Sequence, residues 1–258
     1  MAKNRKQAKS GKWRVITAVL IATLLSFAAW WYIDLWTNEQ GFEHYANFGI
    51  DIPKGYEIHG IDVSKYQGNI KWKEVSRMRV RDVRVSFAFI KATEGLGNVD
   101  RKFKRNWQNA LEAGVPRGAY HFFLPTKSGK IQAQHFIKTV KLQSGDLPPV
   151  LDIEQLYGVR PEIMKREVKI WLQMVEEAYG VTPILYTYVN FYEQNLGSEF
   201  DQYPLWVAHY MQPQRPRIRR DWLFWQHNET GLMNGIRTRV DFNVFNGDSV
   251  EFSRLLIN

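Results

Sequence analysis

Residues 149–154 of the chain read Pro-Val-Leu-Asp-Ile-Glu, and this segment decides the predicted fold. Its apolar positions have the length and composition of a strand buried inside a protein. Because side chains alternate along a strand, Asp152 and Glu154 project from the same face. Two carboxylates on one face of a buried strand repel each other, so we expect the pKa of at least one of them to be raised. The segment therefore predicts an inner barrel strand with a chemical site at its end.

Similar short strands alternate with helical patterns on both sides of this segment. Strands are predicted at residues 60–64, 85–93, 118–123, 182–188 and 205–210, and helices at 72–79, 103–113, 128–142 and 161–179. Beyond residue 210 the helical patterns fade, and residues 222–227 and 239–245 are predicted to be two strands joined by a Gly-rich turn. The alternation predicts an α/β fold, an irregular TIM-like β/α barrel with helices missing in its C-terminal third. Its site is expected at the carboxyl ends of the strands.

The composition is that of a globular protein, and it excludes several kinds of site. The 258 residues are 45% hydrophobic and 24% charged, and none is cysteine. A disulfide scaffold, a thiolate zinc site and a cysteine nucleophile are therefore excluded. The net charge is +9, but residues 1–14 contain six basic residues and no acid, which leaves +3 for the rest of the chain. A charge of that size gives no reason to expect a nucleic-acid partner.

The N-terminal residues have the pattern of a membrane segment. Residues 15–33 form an uncharged, mostly apolar run that is preceded by the basic residues and ends in a group of aromatics. We expect a transmembrane signal-anchor that holds the N-terminus in the cytoplasm and the barrel outside, in the periplasm or at the cell surface. A cleaved signal peptide, with Ser26-Phe27-Ala28 as its cleavage site, is the alternative. The predicted divisions are a cytoplasmic tail 1–14, the anchor 15–33, a tether 34–57 and the barrel domain 58–258.

Two further acids lie at the ends of predicted strands. Asp62 ends the first strand and Asp241 begins the last, and these strands are neighbours in a closed barrel. Four acids can therefore meet at one mouth, and a protonated carboxyl beside a charged one suits general acid catalysis. Helix capping, ion pairing and binding of a hard cation are the alternatives. No His-x-x-x-His or calcium-loop spacing accompanies the acids, so we predict no metal and no cofactor.

Aromatic residues make up 14% of the chain, and several lie near the predicted strand ends. Sugar rings have flat apolar faces that stack on aromatic side chains, so these residues suggest a carbohydrate substrate. We expect Tyr120 and Trp206 to be exposed at the mouth, because small residues accompany them in their strands. Packing in the core is the alternative for each aromatic.

Six motifs carry a family resemblance. They are His-Gly-Ile-Asp-Val-Ser-Lys-Tyr-Gln-Gly (59–68), Phe-Ile-Lys-Ala-Thr-Glu-Gly (89–95), Gly-Ala-Tyr-His-Phe (118–122), the opening segment 149–154, Leu-Trp-Val-Ala (205–208) and Val-Asp-Phe-Asn (240–243). In this order, over residues 59–247, they resemble the glycoside hydrolase family 25 lysozymes. The resemblance implies an irregular β/α barrel and a muramidase. Such an enzyme cleaves the β-1,4 bond between N-acetylmuramic acid and N-acetylglucosamine in peptidoglycan.

The same resemblance implies roles for individual residues. Glu154 matches the general acid and Asp152 its partner carboxylate, whereas Asp62 and Asp241 match acids that line the catalytic subsite. The substrate-contact positions are matched by Tyr120, Tyr186, Trp206 and Gln226. The family also implies retention of configuration, with the acetamido group of the substrate as the nucleophile, which is a known exception to the two-carboxylate scheme.

Two other classes of function remain open from the sequence. A catalytically silent, membrane-anchored glycan-binding barrel would keep the aromatics but would not need the four acids. A chitinase-like glycosidase would carry a longer run of alternating Asp residues before Glu154. The expected partners are peptidoglycan glycan strands and a membrane bound through residues 15–33, and we expect a monomeric catalytic domain.

Overall fold

The structure, a computed structural model, describes residue 14 and residues 16–32, 41–212 and 214–258. The chain divides into two units, Met1–Gly41 and Phe42–Asn258. In the first unit, residues 16–32 form helix α1. Most of the predicted tail 1–14 and the first part of the predicted tether lie outside the described residues.

The prediction of a transmembrane helix over residues 15–33 was wrong. None of the helices that the structure describes is both long and apolar enough to cross a membrane.

The second unit is built mainly from short strands and the helices between them. The strands are β1 (Phe42–Tyr45), β2 (Ile50–Pro53), β3 (His59–Val63), β4 (Arg79–Val80), β5 (Val83–Glu94), β6 (Asn98–Val99), β7 (Arg117–Phe122), β8 (Val150–Asp152), β9 (Ile184–Tyr188), β10 (Leu205–Ala208), β11 (Phe224–Gly231) and β12 (Val240–Phe245). The helices are α2 (Trp72–Arg77), α3 (Phe103–Glu112), α4 (Gly129–Thr139), α5 (Pro161–Tyr179), α6 (Val189–Phe191) and α7 (Ser249–Leu255). Single 3-10 or π turns cover Lys65–Gln67, Tyr192–Leu196 and Ser198–Phe200.

Eight of these strands close into a barrel. The order around it is β3-β5-β7-β8-β9-β10-β11-β12, and the pairing of β12 with β3 completes the ring. Every pair from β3/β5 to β10/β11 is parallel, whereas β12 runs antiparallel to both of its neighbours. The short strands β4 and β6 pair with the ends of β5 outside the ring.

The predicted fold class, an irregular TIM-like β/α barrel, is therefore corrected to a closed, eight-stranded barrel of mixed strand direction. A TIM barrel needs eight parallel strands, each followed by a helix. Residues 232–239, between β11 and β12, are too few for the crossover that parallel strands need, so these strands form an antiparallel hairpin. Within the described residues, no helix joins β10 to β11 either.

Alternation along β5 shows how the strands separate two cores. Phe87 and Phe89 point into the barrel, where they pack on Phe224 and other rings. Ala88 and Ile90 point outward into the core beneath the helices. The inner aromatic cluster fills the barrel below its mouth and so forms the floor on which the site is built.

Residues 42–53, which the sequence analysis assigned to the tether, form a hairpin of β1 and β2. Tyr45, Phe48, Ile50 and Ile52 are buried in the outer core. Burial of four large apolar side chains stabilises this segment against the entropy of a free linker. The hairpin therefore belongs to the second unit.

Candidate active site

One cavity at the carboxyl ends of the parallel strands contains all eight predicted site residues. Its volume is about 270 Å³. The lining includes the acids Asp62, Asp152, Glu154 and Asp241 and the predicted contact residues Tyr120, Tyr186, Trp206 and Gln226. It also includes residues that the sequence analysis missed, namely Val63, Ser64, Tyr66, Gln67, Lys91, Phe122 and Tyr210. The barrel thus brings together side chains from most of its strands.

Asp62 is held by a directional network of hydrogen bonds. Its Oδ2 accepts one hydrogen bond from Gln226 Nε2 and one from Asn243 Nδ2, both at 2.8 Å. Gln226 is oriented for this because its Oε1 accepts the hydroxyls of Tyr186 at 2.8 Å and Tyr210 at 2.7 Å. Asn243 is oriented likewise, because its Oδ1 accepts Trp206 Nε1 at 2.8 Å. Every proton in the network therefore points toward the Asp62 carboxylate.

Asp62 and Asp241 face each other across the antiparallel pair of β3 and β12. Burial raises the pKa of Asp62 to about 6, although the Asn243 and Gln226 hydrogen bonds favour its charged form. Burial, followed by the charge of Asp62, raises the pKa of Asp241 to about 9. At neutral pH this pair therefore has one ionised and one protonated carboxyl.

Asp152 and Glu154 form the second pair of acids. Asp152 ends β8 and is only 5% exposed, whereas Glu154, two residues later, is half-buried. Burial raises the pKa of both carboxyls, and repulsion by Glu154 raises that of Asp152 further. The expectation of a raised pKa in this pair is met. The hydrogen bond between the two carboxyls raises the pKa of Asp152 and lowers that of Glu154, so the proton that the pair retains is held more tightly on Asp152.

Lys91 is the one cation among the residues that line this cavity. It lies on β5, its side chain is 13% exposed, and its Nζ is 2.7 Å from Glu94 Oε2 and 4.5 Å from the centre of the Phe122 ring. Its charge lowers the pKa of both Asp152 and Glu154 against the larger effect of burial. A lysine in an otherwise uncharged strand, Val85 to Thr93, was the sequence signal that could have identified it.

Trp206 forms part of the cavity floor, not its exposed mouth. It is 2% exposed and lies between Phe89, stacked at 4.4 Å, and Tyr186 at 4.3 Å. The expectation that Trp206 would be exposed was wrong, because the neighbouring aromatic side chains inside the barrel cover it. Tyr120 meets the edge of Trp206 at 6.4 Å and is half-buried, so it lines the cavity but is less exposed than predicted.

The exposed wall of the cavity comes from a residue that the sequence analysis did not single out. Tyr66, 73% exposed, lies in the turn that follows β3 and presents its ring beside the acids. Its position in the 59–68 motif was the available signal. Within the described residues, no group of three or more His, Asp or Glu side chains is arranged to hold a metal ion.

Comparison with known proteins matches this architecture to one family. The family model "Glycosyl hydrolases family 25" matches residues 61–236. A relative from Escherichia coli (strain K12), the protein YegX, is 47% identical over 207 residues, which are 80% of this chain and 76% of YegX. Lysozyme M1 of Streptomyces globisporus is 35% identical over 220 residues, 78% of this chain and 72% of that protein.

A solved structure agrees with these sequence matches. The family 25 glycosyl hydrolase from Bacillus anthracis superposes with a TM-score of 0.73 at 32% identity, covering 84% of this chain and 98% of that one. The resemblance stated from the six motifs is thereby confirmed, as is the expectation of a glycoside hydrolase of the lysozyme type. The chain belongs to the glycosyl hydrolases of family 25.

Proposed function

We propose that this chain is a muramidase that hydrolyses the β-1,4 bond between N-acetylmuramic acid and N-acetylglucosamine, with Glu154 as its general acid. The observation that carries the proposal is the meeting of two carboxyl pairs above an aromatic floor in one cavity. The names of the relatives support the substrate class, since lysozyme M1 and the autolytic lysozyme of Clostridium acetobutylicum both match the chain. Because that polymer lies outside the cytoplasm, we propose that the barrel acts there.

Glu154 suits the role of proton donor because it is the more exposed member of its pair. In the proposed reaction its carboxyl proton passes to the oxygen of the leaving sugar while the bond from that oxygen to C1 breaks. The acetamido oxygen of the retained sugar attacks C1 and forms a cyclic intermediate. Glu154, now a carboxylate, takes a proton from water as the water opens that ring, which regenerates the acid and retains the configuration.

Asp152 suits the role of partner to the acetamido group. Its Oδ1 is buried and has no hydrogen-bond partner among the described residues. A buried, unpaired carboxylate oxygen is costly, and the N–H of the acetamido group would satisfy it. Donation of that N–H to Asp152 favours its charged form, so the proton of the pair passes to Glu154, and the Asp152 charge stabilises the positive charge that develops on the cyclic intermediate.

Asp62 and Asp241 complete the proposed charge distribution. The ionised Asp62, fixed by Gln226 and Asn243, adds negative charge beside the reacting sugar, where a transition state of oxocarbenium character needs it. The protonated Asp241 is a neutral hydrogen-bond donor at the same rim. The aromatic rings of Tyr66, Tyr120 and Tyr186 supply apolar faces for the sugars.

Hydrolysis of purified bacterial walls tests the proposal. Loss of turbidity is measured for the wild-type protein, for Glu154→Gln and for the matched control Glu177→Gln, which changes an exposed glutamate on α5. We expect Glu154→Gln to reduce kcat at least about 100-fold, the lower range for loss of general acid catalysis. The control should retain wild-type activity. Near-normal turnover by Glu154→Gln would refute its role, and activity on chitin but not on walls would favour a chitinase-like glycosidase.

A further inference from the structure

A second cleft opens beside the catalytic cavity and has the opposite charge. It has a volume of about 570 Å³, larger than the catalytic cavity. Tyr66 and Gln67 line both spaces, so the two are separated only by this turn. The charged residues of the second cleft are three cations, Lys71, Arg105 and Arg237, and one acid, Glu74.

Two of these cations have no partner within the described part of the chain. Lys71 is paired with Glu74 at 2.8 Å, which leaves little charge at that end. The guanidinium groups of Arg105, on α3, and Arg237, in the loop between β11 and β12, have neither a hydrogen-bond acceptor nor an ion pair among the described residues. Arginine binds carboxylates through two parallel hydrogen bonds, so two unpaired guanidinium groups on one cleft form a receptor for anionic oxygens.

Hydrogen bonds between the segment 67–71 and the loop between β11 and β12 hold the walls of this cleft in place. Lys71 N donates to Gly235 O at 3.0 Å, and Gln67 Nε2 donates to Arg239 O at 3.0 Å. Gly235 has a φ of 88°, and a Cβ there would lie 2.6 Å from Lys71 O. Only glycine therefore permits this close approach, and the cleft is formed before any ligand binds.

The catalytic cavity and the second cleft favour substrate groups of different charge. The catalytic cavity, with four acids and one lysine, repels an anion and accepts neutral sugars. The second cleft attracts anions and is separated from the catalytic cavity only by the turn of Tyr66 and Gln67. In peptidoglycan the anionic groups next to the sugars are the carboxylates of the peptides that muramic acid bears.

We propose that the cleft lined by Arg105 and Arg237 binds the carboxylates of this acidic peptide. This inference rests on the proposed function. The enzyme would then prefer peptide-bearing strands to bare glycan. The recognition adds binding energy away from the reacting bond, so its loss raises KM and leaves kcat unchanged.

The test compares two substrates and two kinds of readout. The double variant Arg105→Gln/Arg237→Gln and the control Arg254→Gln, an exposed arginine on α7, are assayed on intact peptidoglycan and on the same strands after an amidase has removed the peptides. The amidase leaves one lactyl carboxylate on each muramic acid, so the comparison separates the peptide carboxylates from this one. We expect the double variant to lose about tenfold in kcat/KM on intact strands, through KM, and nothing on bare strands. Added salt should reduce the preference of the wild type.

Binding provides the readout that needs no turnover. In the Glu154→Gln background, co-sedimentation with intact and with peptide-free strands should show the same dependence on the two arginines. Equal losses on both substrates, or no loss on either, would overturn the proposal. Weakened binding that follows extraction of wall phosphate polymers instead of the peptides would also overturn it. Absence of wall hydrolysis by the wild type would count against the proposed function alone, because the sedimentation results still decide the peptide question.

Discussion

Replacement of Asp62 by asparagine should stabilise the fold above pH 6. The carboxylate is buried, and its pKa rises from 3.8 in the unfolded chain to about 6 in the folded one. Asparagine is nearly isosteric, and its single oxygen can still accept the Gln226 and Asn243 hydrogen bonds while its amide faces Asp241. The variant therefore removes the cost of a buried charge and keeps the network.

The magnitude follows from the size of this shift. A raised pKa makes the folded state bind the proton more tightly, so Asp62 contributes its full stability below pH 3.8 and loses it as pH rises through 6. A shift of about 2 units at 1.36 kcal/mol each corresponds to about 3 kcal/mol. We expect the stability of Asp62→Asn relative to the wild type to increase by about that amount between pH 4 and pH 7.

Urea unfolding at a series of pH values measures this difference. Asp221→Asn is the control, because its exposed side chain carries no buried charge that the substitution could remove. A difference between Asp62→Asn and the wild type that stays constant from pH 4 to pH 7 would refute the reasoning. So would a variant that becomes less stable than the wild type as the pH rises.

Two further predictions concern a charge and a close contact. Lys91→Met removes the cation that lowers the pKa of Asp152 and Glu154. Both limbs of the pH profile of kcat should therefore move to higher pH, and an unchanged profile would exclude this electrostatic role. Gly60→Ala would place a methyl group 2.4 Å from the Phe87 ring, so it should reduce the free energy of unfolding by roughly 1–3 kcal/mol. Gly97→Ala, which meets nothing within 4 Å, is its control, and equal thermal unfolding of the two variants would contradict the packing account.

The positions of the acids could be predicted because strand periodicity is local. The two-residue spacing of Asp152 and Glu154 placed both on one face, and barrel closure made the strands of Asp62 and Asp241 neighbours. In the structure these last two residues are direct partners in the β3/β12 register. The same periodicity carries no information on strand direction, because side chains alternate equally in parallel and antiparallel strands. The short connection at residues 232–239 carries the information on strand direction, because a connection of this length indicates an antiparallel hairpin.

Depth along the barrel axis could not be predicted in this way. Trp206 faces inward as its strand pattern indicates, but its level is set by the neighbouring strands, which place Tyr186 directly beside it. The network around Asp62 was hidden for the same reason, since Asn243 and Tyr210 meet it only through the stagger of separate strands. The hairpin 42–53 was missed because Gly49, Pro53 and the polar residues outweighed the alternation of Ile50 and Ile52.

The chemical identity of the cleaved ends decides whether the enzyme is a muramidase. Purified peptidoglycan is digested with the wild-type protein, the new reducing ends are converted to alditols with borohydride, and the products are identified by mass spectrometry. We expect reduced N-acetylmuramic acid as the terminal sugar, and no such ends with Glu154→Gln. Reduced N-acetylglucosamine at the new ends, or the same muramic ends from Glu154→Gln at an undiminished rate, would contradict it.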